Sequence, residues 1–172
     1  PAWLARRSPR DARRLRVVAI GFWVVLASAY LLRSARNLRA AHTSVRFGKD
    51  SLLATAELGE PLQPALEWLR PNMGPDDTLV VMPEGVMLNY QLRRKNPTPY
   101  TNFMPPELLF FGEQAMLDSL ESSAPDYIVL VHKDTSEYGF RYFGTHYGEA
   151  LYGWVRQHYK REVIFGALPL TS

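Results

Sequence analysis

The order of segments predicts an α/β protein: an N-terminal transmembrane helix, then a small three-layer domain with a short, mainly parallel sheet of about three strands flanked by helices. Three observations carry this expectation. Residues 17–32, VVAIGFWVVLASAYLL, hold no charge. The runs TLVVM, from Thr78, and YIVLV, from Tyr127, are apolar almost without interruption. Continuous apolar runs mark strands covered on both faces, whereas alternation marks a sheet with one wet face. Helical patterns separate the runs, and strands alternating with helices build a parallel sheet.

Taken in order, the chain opens on a basic flank, residues 1–16, with six arginines. The uncharged run follows. Its 16 residues span roughly 24 Å as a helix, somewhat short of a hydrocarbon core of ~30 Å. Arginines at both ends can snorkel and extend the reach. Trp23 and Tyr30 are of the type that anchors at membrane interfaces. Three readings stand side by side: a transmembrane helix over 17–39, a cleaved signal peptide, and a buried helix of a soluble domain. The basic stretch after the run speaks against the second, and apolar residues on every face speak against the third. Six arginines before the run against Arg33, Arg36 and Arg39 after it orient the N-terminus to the cytoplasm and residues 40–172 to the extracytoplasmic side, with the lipid bilayer as a partner.

Residues 40–60 read as a linker, with a short helix in KDSLLATAELGE ended by Gly59. Residues 61–172 form the expected domain. A helix from Pro61 to Arg70 carries Leu62, Ala65, Leu66 and Leu69 at helical spacing. Pro71, Gly74 and Pro75 stop it, and Asp76-Asp77 form a solvated turn into the first strand. GVMLNYQL is a short helix. RRKNPTPYTNFMPP, with four prolines, is excluded from regular structure. ELLFFGEQAMLDSLESS is a second helix with Leu108, Phe111, Ala115, Met116 and Leu120 inward. PDYIVLVH is the second strand, KDTSEYGFRYFGTH an aromatic loop, YGEALYGWVRQHY a third helix and KREVIFG a third strand.

The charge is split. Residues 1–49 hold eleven Lys and Arg against one Asp, a balance of +10, and the remainder holds nine against sixteen acidic residues, −7. The folded part is acidic, which excludes nucleic acid as its partner. With no cysteine there is no disulfide and no thiolate chemistry. His42, His132, His146 and His158 lack metal-binding spacing, and no phosphate-binding glycine motif or GxSxG elbow is present.

Ligands of open parallel sheets bind outside the carboxyl ends of the strands. Two stretches fall there: Pro83-Glu84-Gly85 with Asn89 and Tyr90, and His132-Lys133-Asp134 with the aromatic loop as far as Tyr147. A rim with a carboxylate, a histidine, a lysine and aromatic rings suits a sugar, whose hydroxyls pair with polar groups and whose C–H faces stack on rings. Each residue also has a plain structural role. Glu84 stands where a helix begins and can cap it, Gly85 can serve a tight turn, and His132 can be a hydrogen-bonded structural histidine. Arg94 and its basic neighbours can meet a phosphate or simply end a helix.

VVMPEGVMLNYQLRRKNPTPYTNFMPPE, PDYIVLVHKD, FGTHYGEALYGWV and REVIFG, behind a membrane helix, resemble the C-terminal part of bacterial GT-C glycosyltransferases of the protein O-mannosyltransferase-like and aminoarabinose-transferase-like kind. The resemblance covers residues from about 15 to 168. It implies an enzyme of the inner membrane that transfers a sugar from a polyprenyl-phosphate carrier to an acceptor on the outer, periplasmic face of that membrane. In that family an acidic residue of the first extracytoplasmic loop acts as general base or metal ligand. No residue here corresponds to it, so the resemblance implies no catalytic residue and no cofactor in this segment, and leaves a divalent metal to the full enzyme. The start at Pro1 fits a piece of a longer protein whose upstream membrane helices are its partners. Glu84, Asn89, Tyr90, Arg94, Tyr100, His132, Lys133 and Tyr147 then become acceptor-binding candidates. The competing expectation is a single-span, membrane-anchored binding or assembly module without enzymatic activity.

Overall fold

The computed structural model describes residues 9–166; residues 1–8 of the expected basic flank and the last six residues of the expected domain lie outside them. The protein is a mixed α/β chain whose contacts divide it into two units. One runs as far as Val45 and takes in Leu52–Gly59; the other comprises Arg46–Ser51 and the chain from Glu60 onward.

In the first unit, helix α1 covers Pro9–Ala40, 32 residues. At about 1.5 Å per residue it is roughly 48 Å long. Its segment Ala12–Ala40 is long and apolar enough to cross a membrane, and none of its apolar window is buried within the chain. Trp23 and Val25 are 68% and 67% exposed. A buried helix of a soluble domain would show the opposite. The helix starts earlier than the apolar run because arginine is a good helix former.

The region 40–60 differs from expectation. Strands β1, Thr43–Phe47, and β2, Asp50–Ala54, pair in a two-stranded sheet. Only Gly48 and Lys49 connect them, a length that an antiparallel hairpin allows and a parallel pair does not. Gly48 takes the left-handed conformation, φ +61°, which this tight turn requires. The alternation Ser44, Val45, Arg46, Phe47 was the readable signal, and it is short. Helix α2 then spans Ala56–Asn72 and contains Pro61, Pro64 and Pro71, so Gly59 lies inside a helix rather than ending one.

The second unit is built on strands β3, Leu79–Met82, and β4, Tyr127–Leu130, which pair in parallel with Leu79 opposite Tyr127 and Met82 opposite Leu130. The pair is pinned at its amino end. Thr78 donates from N and Oγ1 to Asp126 Oδ2 at 2.8 and 2.6 Å. Helix α3, Val86–Leu92, lies against β3 and buries Leu88 and Leu92. Val80 and Met82 point the other way. They meet Phe103, Met116 and Leu120, together with Leu151, Trp154 and Val155. The last five come from α5, Glu113–Ser123, and α6, Glu149–His158. Strand residues two apart share a face, so β3 is covered on both sides.

Two expectations change here. The parallel sheet has two strands rather than three: residues 160–165 form no strand, and Val163 and Ile164 remain 39% and 38% exposed. Their β-branched side chains suit a strand, but strand preference reflects burial on a pleated surface, and neither is buried. The second helix is in fact two, α4 over Pro105–Phe111 and α5, separated by Gly112 at φ +84°. The break resets the helical phase. Met116 and Leu120 are fully buried and Leu108 half-buried, whereas Phe111 and Ala115 face outward.

Candidate functional site at the carboxyl end of the parallel pair

The register sets the site. Met82 and Leu130 are partners, and Val131 N donates to Met82 O at 2.7 Å. The chain therefore leaves both strands at one level, bringing Glu84 and Lys133 side by side. Lys133 Nζ donates to Glu84 Oε2 in an ion pair whose side chains are 34% and 44% exposed. The hydrogen bond to Glu84 raises the Lys133 pKa above its ordinary value against the opposing effect of burial. Glu84 does not cap α3. The N-cap position belongs to Gly85 and receives no side-chain hydrogen bond.

Gly85 is required by packing. A Cβ there would collide with Val81 Cγ1, and Val81 is only 2% exposed. The corner thus fits against β3 only without a side chain, which is what carries Glu84 to the rim.

The aromatic loop supplies the other wall. Thr135 is fully buried, donating from N to Arg141 O at 2.9 Å and from Oγ1 to Phe140 O at 2.7 Å. Asp134 accepts from Ser136 N at 2.8 Å and from Arg141 Nε at 3.3 Å. The Ser136 hydrogen bond, with the Arg141 charge, holds its carboxyl below the ordinary range. These bonds close the loop so that His132 and Arg141 both lie on Tyr142, at 4.8 and 4.9 Å. Tyr147 is buried between Phe140 and Phe143, ring centres 6.3 and 5.7 Å away. Its hydroxyl has no hydrogen-bond partner among the described residues. Burial raises its pKa against the lowering influence of the nearby Thr135 side chain, which lies outside hydrogen-bonding geometry, and the charges of Lys133 and Glu84 act on it more weakly. Gly148, at φ +66°, must lack a Cβ because the Phe143 ring occupies that space.

The candidates from sequence separate into groups. Glu84, His132, Lys133 and Tyr147 belong to the strand ends and their loop. Asn89 does not reach the rim: it is buried, donating to Leu79 O at 2.7 Å and Arg94 O at 3.3 Å. A helix residue four positions past Gly85 points back onto the strand, and its amide braces β3. Arg94 is likewise a brace, donating to Met73 O at 3.0 Å and Leu92 O at 3.1 Å. Tyr90 is exposed beneath the Arg93 guanidinium, 4.2 Å from its ring centre. Tyr100 packs against Phe111 and Phe103 at 5.3 and 6.5 Å. Thr135 and Phe140 were not singled out from sequence; Asp134 and Arg141 were placed at this strand end, but not as a pair. The spacing of Asp134 to Ser136 was the available signal, since aspartate commonly bonds the amide two residues on.

Chemically, the rim offers an acceptor and a donor already neutralised by one another, and the adjoining loop carries the exposed rings of Phe140 and Tyr138, 48% and 45% accessible. Such a surface can exchange hydrogen bonds with an uncharged polyhydroxyl ligand. Among the described residues no three His, Asp or Glu side chains converge as a metal site would need. No family model matches the chain, and no curated protein or solved structure matches it.

Proposed function

We propose that this chain is the C-terminal part of a membrane glycosyltransferase of the GT-C class, which moves a sugar from a polyprenyl-phosphate carrier to an acceptor. In this reading residues 40–172 stand on the extracytoplasmic side, α1 is the last membrane span, and the rim supports acceptor binding while the catalytic acidic loop lies upstream. The observation that carries it is the Glu84–Lys133 pair at the carboxyl end of parallel strands, in a chain with a helix of membrane-spanning length. It is supported by the sequence resemblance and by the position at which sheets of this kind bind ligands. Reading the gene upstream of Pro1 tests it. Many hydrophobic spans with an acidic residue in the first outer loop are expected. A start codon beside Pro1 overturns the transferase reading in favour of a single-span binding module.

A further inference from the structure

Helix α4 presents Leu109, Phe110 and Phe111 at 90%, 86% and 51% exposure. Phe110 and Phe111 stack edge-on, ring centres 5.5 Å apart, and Tyr100 extends the cluster at 5.3 Å from Phe111. Three large consecutive apolar residues left in water are costly, and contiguous patches of this kind mark an interaction surface. We infer that the α4 patch docks on the lipid surface, its aromatic side chains entering the headgroup region of the bilayer that α1 spans. The occupant follows from two features of the chain. A segment long and apolar enough to cross a membrane is covalently joined to this domain, so a bilayer is always within tether range, at high effective concentration. The charge also fits. The residues from Leu108 to Gly112 are uncharged, between Glu107 and Glu113, so the patch itself offers apolar surface and an uncharged lipid interface meets it without burying a charge. Exposed Phe and Leu are residue types that insert at the boundary of headgroups and acyl chains. The inference needs α1 in a membrane and does not depend on the transferase reading.

Because the chain has no cysteine, single spin labels report one site each. The full chain is reconstituted in phosphatidylcholine vesicles with a label at Phe110→Cys, at Val25→Cys in α1, or at Ser122→Cys, exposed on α5. Collisions with oxygen are compared with collisions with a water-soluble nickel chelate. The expected result is that positions 25 and 110 favour oxygen, with 110 the shallower, while 122 favours nickel. Adding Leu109→Asp should return the 110 label to the aqueous pattern without altering circular dichroism. A nickel-favouring 110 beside an oxygen-favouring 25 overturns the inference and leaves a protein partner for the patch. Dipolar broadening at 110 that scales with protein density overturns it in favour of a second copy. A nickel-favouring 25 removes the membrane helix itself, and the inference with it.

Discussion

Glu84 and Asn89 lie five positions apart in one corner, yet they do different work. The Glu84–Lys133 pair is partly exposed, and pairs of that kind contribute only about 0–1 kcal/mol. Glu84→Ala should therefore leave the denaturation midpoint almost unchanged. Asn89→Ala removes a buried donor to Leu79 O and should cost about 1–3 kcal/mol in urea unfolding. Gly85→Ala should cost about 1–3 kcal/mol as well, since its methyl would press on the buried Val81. The pH dependence separates two further residues. Thr78 holds the Asp126 carboxyl below its ordinary 3.8. That contribution is complete above 3.8 and is lost as pH falls through the lowered value, so Asp126→Asn should flatten the acid limb of the stability profile. Lys133 is raised above 10.5, and its contribution is lost only as pH climbs through that raised value. Glu84 and Lys133 were legible in the sequence because each closely follows a continuously apolar run. The inward turn of Asn89 was not, because it depends on the phase at which α3 begins, and Gly85 hides that phase.

At the level of elements, β3 and β4 and the helices α3 and α6 follow from period and turn residues. Gly112 could be read as a break or as a tolerated helix glycine, and only its left-handed backbone decides between them. The hairpin β1–β2 was missed because five-residue strands with one buried valine give too little alternation to outweigh nearby helix formers. Helix α5 ends on Ala124, held left-handed at φ 40°, a conformation unfavourable for a residue with a Cβ. Ala124→Gly should raise thermal stability by about 0.5–1 kcal/mol. Leu120→Ala, by contrast, opens a void beneath a fully buried position and should cost about 2–5 kcal/mol.

On the scale of the molecule, one chain combines a helix able to cross a bilayer with an acidic α/β unit whose candidate rim lies at the strand ends. The long apolar helix α1 was readable from composition alone. The exposed patch on α4 was not, because the sequence placed Phe111 inward on a single continuous helix. The proposed division of labour gives the rim to the acceptor and the bond-making step to a loop upstream of this segment. It accounts for a surface with hydrogen-bonding groups and rings at the strand ends.

The most direct measurement is sugar transfer from a polyprenyl-phosphate donor by membranes carrying the complete gene product, comparing the parent protein with Glu84→Ala. The account predicts transfer by the parent and a clear loss in the variant, with the acceptor KM raised and protein level and folding unchanged. Equal transfer by a stably folded Glu84→Ala protein, or no transfer by the parent, would contradict it.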